Sequence, residues 1–101
     1  MTYYILNGKE IFKTDDIIEF GRAFKDFKSR IIAQEKVGEL FVSTVFLGID
    51  HGWNRSNPPI LFETMVFDPL NNEIEGLTER YATWDEAYEG HQNTVKKVSA
   101  T

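Results

Sequence analysis

The stretches Val42–His51, VSTVFLGIDH, and Leu61–Phe67, LFETMVF, decide how this chain folds. Both are rich in β-branched and aromatic residues, which suit a pleated, half-buried surface. In the first, Phe41, Val45, Leu47 and Ile49 share one face with Ser43, while Leu40, Val42 and Phe46 share the other with Thr44. A run apolar on both faces reads as a central strand, covered on both sides, over residues 40–49. A second strand is expected over residues 60–67. Three polar groups interrupt the pattern: Asp50, His51 and Glu63. Burying such groups without partners costs roughly 2–7 kcal/mol. They therefore need partners, and the region is the best candidate for a site.

Working outward, residues 50–59, DHGWNRSNPP, carry Gly, Asn, Ser and a Pro pair that stop both helix and strand, so they read as a loop. Asp68-Pro69-Leu70-Asn71-Asn72 is a turn of the Pro/Asn type, and a weaker strand follows over residues 74–82. Thr83 with Glu86 three positions on forms a capping box. A helix is expected from Trp84 to about Val98, with Trp84, Ala87, His91, Val95 and Val98 on one face and Lys96 and Lys97 favouring its C-terminal dipole. Upstream, Gly38 breaks the chain. Before it, Thr14 followed by Asp15 and Asp16 reads as an N-cap. Ile17, Phe20, Phe24, Phe27 and Ile31 then form one apolar stripe on a helix of about fifteen residues. Asn7-Gly8, between two β-prone runs, signals a hairpin. The expected order is β-β-α-β-β-β-α. It describes a single α+β domain over residues 1–101: an antiparallel sheet, made of the N-terminal hairpin and a three-strand meander, with two helices. Helices on one side leave the second face of the central strand to be covered by the hairpin, the long loop or a second subunit.

Composition bounds the function. The 101 residues are 42% hydrophobic and 14% aromatic, enough for one core, and carry a formal charge of −5. An acidic chain does not attract phosphate backbones, which disfavours nucleic-acid partners. The absence of cysteine excludes disulfides, thiolate metal sites and cysteine nucleophiles. The N-terminus, MTYYILNGKE, lacks the pattern of a secretory signal, and no run approaches the roughly 18 apolar residues of a membrane helix. A soluble cytoplasmic protein with no membrane partner is the default.

The candidate chemistry is set by Asp50, His51, Glu63 and by His91 on the apolar face of the last helix. Two histidines and a carboxylate could ligate a divalent metal, with His51, Glu63 and His91 as ligands, or serve as a general acid/base pair. No diagnostic spacing such as HExxH supports either use, and a buried hydrogen-bond network takes precedence over both. No cofactor is indicated. Ser43 and Thr44 lie inside a strand rather than on an exposed nucleophile turn, so their hydroxyls are expected to bond a neighbour. Gly48 in a strand marks a bulge or a close approach. Trp53 and Arg55 on the loop are either binding anchors or, for Trp53, a lid on the core. Residues 15–98 also follow the α-β-β-β-α order of double-stranded-RNA-binding domains. The lysine cluster those domains place at the start of the second helix reads here as the acidic Thr83–Ala87, so the analogy supports no RNA binding.

The segments from Val42 to His91 resemble a family of small uncharacterised phage and prophage proteins with the pattern STVFLGxDH, a short loop, PPLLFETMVF and ERYxTxxEAxxGH. The match runs through Ser43–Gly48, Asp50, His51, Pro58, Pro59, Leu61–Phe67, Glu79–Tyr81, Thr83, Glu86, Ala87, Gly90 and His91. The turn after Phe67, DPLNNEIEG, departs from the glycine-rich turn of many relatives. The resemblance implies a phage accessory protein in the host cytoplasm and brings no activity with it. Three functions follow as expectations. The preferred one is a non-enzymatic protein that binds a host or phage protein, or a small ligand, around Asp50, His51, Trp53, Arg55, Glu63 and His91. The others are a small hydrolase, possibly metal-dependent, using Asp50, His51, Glu63 and His91, and a structural or homodimeric phage protein.

Overall fold

A computed structural model describes residues 2–50 and 58–100. A hairpin opens the chain, β1 (Tyr3–Asn7) and β2 (Glu10–Thr14), joined through Gly8 at a φ of 64°. The first helix, α1, spans Ile17–Lys25 and is shorter than its apolar stripe suggested. Its N-cap is Asp16, whose carboxylate accepts from the amides of Ile18 and Glu19. Thr14, the expected cap, instead accepts from the Asp16 amide at 3.1 Å. Asp26 ends α1 and caps a 3₁₀ turn over Phe27–Arg30.

The chain then turns into a strand that the sequence did not announce, β3 (Ile31–Val37). It pairs with β4 (Leu40–Phe46), which pairs with β5 (Phe62–Phe67), which pairs with the short β6 (Glu79–Tyr81). All pairings are antiparallel. The α+β class holds, with a four-stranded sheet in the order β3-β4-β5-β6 and the hairpin as a separate two-stranded sheet. The strand expected over residues 74–82 is reduced to β6, preceded by a bridge from Glu73 to Phe67. The last helix, α2 (Trp84–Ser99), starts at the expected capping box.

Helix α2 packs on one face of the sheet. Strand alternation sends Val42, Thr44 and Phe46 of β4, and Phe62, Thr64 and Val66 of β5, toward it, all buried. Phe46, Leu61, Phe62 and Ala87 form one core cluster, onto which Tyr4, Leu6 and Ile11 of the hairpin pack. Val42, Val66 and Val98 form the other. The hairpin therefore extends the α2 layer, held by the Tyr4 amide donating to the Gly48 carbonyl at 2.9 Å. Gly48, at a φ of 79°, leaves room for the Phe20 ring where a Cβ would sit 2.8 Å away. On the opposite sheet face Phe41 is exposed, and Val45, Met65 and Phe67 are only partly buried. No helix among the described residues is long and apolar enough to cross a membrane.

Candidate functional site

Each strand places a polar residue on the sheet face beneath α2, and α2 adds His91 among them. The register explains the alignment: Thr44 lies opposite Thr64 across β4 and β5, Phe62 opposite Tyr81, and Glu35 of β3 opposite Val42. Cross-strand partners point to the same face, so Glu35, Thr44, Thr64 and Tyr81 all turn toward the helix. His91, Thr44 and Thr64 are essentially sealed from solvent. The Glu35 carboxylate lies half-exposed at the sheet edge.

These groups form one continuous hydrogen-bonded chain. His91 Nε2 is 3.0 Å from Glu35 Oε1, and His91 Nδ1 is 2.7 Å from Thr44 Oγ1. Thr44 and Thr64 hydroxyls meet at 2.5 Å, and Tyr81 Oη lies 3.2 Å from Thr64 Oγ1. With Glu35 ionised and the ring neutral, Nε2 donates to the carboxylate, which only accepts, and Nδ1 accepts from Thr44. Thr44 then accepts from Thr64, and Thr64 accepts from Tyr81. In that state every donor points from Tyr81 toward Glu35. Burial pushes the Tyr81 phenol above its usual value of 10.0; hydrogen bonding with Thr64 and Thr94 opposes this, and the nearby Glu79 charge adds to it.

Gly90 makes the Tyr81 position possible. A Cβ there would lie 2.2 Å from the Tyr81 ring, so the ring lies directly on the α2 backbone. A glycine inside a helix costs about 1 kcal/mol relative to alanine, and the close approach is what it provides. Beside Tyr81, β6 and α2 enclose a groove of about 240 Å³, with Glu79 and Tyr81 on one wall and Gly90, Asn93, Thr94 and Lys97 on the other.

The residues singled out in the sequence do not converge here. Glu63 faces the opposite side of the sheet, where its carboxylate binds Arg80 Nε at 2.9 Å. The proposed sharing of Glu63 and His91, in a metal site or a catalytic pair, is therefore corrected: one residue of strand register separates them by the thickness of the sheet. Asp50 accepts from the Ile60 amide at 2.8 Å, tying together the ends of the loop segment. His51, Trp53 and Arg55 lie outside the described residues. Among the described residues, no group of three His, Asp or Glu side chains is placed to hold a metal ion. Strand hydroxyls do bond neighbours as expected: Ser43 accepts from Gln34 at 2.9 Å, and Thr44 joins the chain. Glu35, Thr64 and Tyr81 were not singled out. The signal that would have found Thr64 is its place opposite Thr44 in two strands of opposed direction; Glu35 required knowing that β3 exists.

A second surface lies on the hairpin and α1. No residue of α1 is buried, and Phe12, Ile17, Ile18, Phe24 and Phe27 are all exposed. Phe20 is the exception to this outward display, stacking on Tyr3 with ring centres 4.5 Å apart. The Arg30 guanidinium lies 3.8 Å from the Phe24 ring centre and 5.2 Å from that of Phe27. Its Nε is buried with no hydrogen-bond partner among the described residues, and burial lowers the Arg30 pKa.

The fold and its buried chain define a small α+β protein with one helix closing a four-stranded antiparallel sheet. No protein-family model, curated protein or solved structure matches it.

Proposed function

We propose that this is a small phage-type accessory protein that works by binding a host protein rather than by catalysis, acting in the host cytoplasm. The observation that carries this reading is α1: a strongly amphipathic helix with no buried residue. Isolated apolar side chains on a surface need no explanation, but a contiguous group marks an interaction site. Phe12, Ile17, Ile18, Phe24 and Phe27, all exposed, are concentrated in the sequence-adjacent β2, α1 and 3₁₀ turn. Arg30 between Phe24 and Phe27 adds the aromatic and arginine character in which interface hot spots are enriched. The family resemblance supports a phage origin. The buried chain supports a structural rather than catalytic use of His91, because every one of its ring nitrogens already has a partner.

The test compares the chain with the double variant Ile18→Asp, Phe27→Asp, both at exposed positions, in pull-downs from bacterial lysate and in sedimentation equilibrium. Specific retention by the natural chain, lost in the variant while its unfolding curve is unchanged, supports the reading. Equal retention by both overturns it. Self-association of the natural chain that the variant abolishes would favour a homodimer built on the same face.

A further inference from the structure

The groove between β6 and α2 is where the buried chain of hydrogen bonds reaches solvent, on the side of the sheet away from Glu35. We propose that this groove binds a small molecule through a protonated amine, and that a second ring proton on His91 weakens this binding by reversing the chain. The site is separate from the α1 face.

The proton count fixes what the groove presents. Each hydroxyl has one proton. With Glu35 ionised and His91 neutral, the Thr44 proton goes to His91 Nδ1 and the Thr64 proton to Thr44. The Thr94 proton goes to the Gly90 carbonyl at 2.9 Å. Tyr81 thus finds only acceptors behind it, donates inward to Thr64, and turns a lone pair to the groove. Glu79, two residues earlier on the same strand face, adds a carboxylate that makes no ion pair among the described residues. The Tyr81 end of the groove is therefore built of acceptors. Lys97, on the same groove, branches from α2 seven residues beyond Gly90, about 10 Å along the helix at 1.5 Å per residue. An ammonium group, three donors and no acceptor, is the complement of a phenol oxygen beside a carboxylate. Gly90 holds the ring in register, because Tyr81 lies flush on the helix backbone.

Protonation of His91 changes this. Nδ1 then becomes a donor. Thr44 must accept from it and turn its own proton to Thr64, and Thr64 turns its proton to Tyr81. The Tyr81 proton is displaced outward. One proton is gained at Nδ1, the hydroxyls rotate, and no covalent bond to carbon changes. The groove loses its phenolic acceptor and faces an amine with a donor. The ionisable groups facing His91 are Glu35 from β3 and, further along, Tyr81 and Glu79 from β6; β4 and β5 present none on this face, and α2 itself places Tyr88 one turn earlier.

The test uses the full chain and ethylammonium chloride as the probe, with sodium chloride as the ionic control, followed in amide ¹H–¹⁵N spectra at about pH 8 and about pH 5, either side of the usual histidine range. The expected result is saturable shifts at Gly90, Asn93 and Thr94 at the higher pH, with affinity falling on the order of tenfold at the lower, a typical coupling between two sites. Tyr81→Phe weakens binding at the higher pH. Thr44→Val cuts the chain between His91 and Thr64, and the binding that remains is independent of pH. Shifts that follow sodium chloride equally, or a pH dependence that survives Thr44→Val, overturn the proposal. The ring ¹⁵N signals of the natural chain give a measurement that needs no variant: a protonated Nε2 with a bare Nδ1 at the higher pH is required, and the opposite tautomer overturns it.

Discussion

The two helices of this protein put similar patterns to different uses. Helix α1 is the more steeply amphipathic of the two and buries no residue; α2, with a histidine, a glycine and a threonine on its inner face, buries Ala87, Gly90, His91, Thr94 and Val98. The difference lies in what each meets. Helix α2 crosses a four-stranded sheet that offers it Val42, Phe46, Phe62 and Val66. Helix α1 meets a two-stranded hairpin, which offers little area, and a lone hairpin is at best marginal by itself. Periodicity reports that a helix has a face; it does not report whether this chain supplies the surface to cover it.

The largest expected effect separates the two regions directly. Phe62→Ala, at a fully buried position, should cost about 3–5 kcal/mol in urea unfolding, whereas Phe27→Ala, at 54% exposure, should stay within about 0.5 kcal/mol. Similar costs would mean that the α1 face is covered in solution. Next in size is Thr44→Val, which leaves His91 Nδ1 unpartnered in the core and the Thr64 hydroxyl with Tyr81 alone, and should cost about 1–3 kcal/mol. Combined with Tyr81→Phe it should deviate from additivity, because both residues belong to one chain of bonds; strict additivity would show the chain broken.

Gly90→Ala comes third. Alanine favours the helix by about 1 kcal/mol, yet its Cβ would displace the Tyr81 ring and its bond to Thr64, and overpacking of that kind costs about 1–3 kcal/mol. A net loss of roughly 1 kcal/mol is expected, and a gain would mean that the ring leaves the helix at no cost. The smallest effect is alkaline. The Tyr81 phenol titrates higher folded than unfolded, so stability is level below about pH 10 and declines as pH rises through the folded value. Tyr81→Phe should flatten that decline in unfolding curves taken across the range.

Much of the C-terminal region was legible in the sequence. β4 and β5 announced themselves by composition, and α2 by its capping box, since both signals are local. The N-terminal half misled at a single junction. The stripe Ile17, Phe20, Phe24, Phe27 and Ile31 continues at helical spacing past the true helix end, because the 3₁₀ turn over Phe27–Arg30 keeps nearly the same angular step. The stop was carried by Asp26, whose side chain accepts from the Ser29 amide, a role a lone aspartate does not advertise. β3 was hidden for a related reason: Gln34, Glu35 and Lys36 give it little apolar alternation. Missing β3 meant missing Glu35, and with it the partner of His91. Of the candidate site, His91 was found because a polar residue on an apolar face stands out. Its true partners were threonines, a tyrosine and an edge glutamate, which are ordinary in strands and acquire meaning only once the register is known.

That same glutamate has another consequence. β3 is the longer of the two edge strands of the sheet, with seven residues against three in β6. A long edge offers unpaired backbone groups to any other extended chain, and inward or flanking charge is how natural sheets discourage such pairing. Glu35 and Lys36 are the charges on this edge. Replacing Glu35 by valine would leave the window IIAQVKV with one charge and no proline, the composition of a fibril-forming segment. The residue that anchors the buried histidine is thus also the guard against self-templated assembly, and its loss should appear first as turbidity and thioflavin fluorescence rather than as a lower unfolding midpoint.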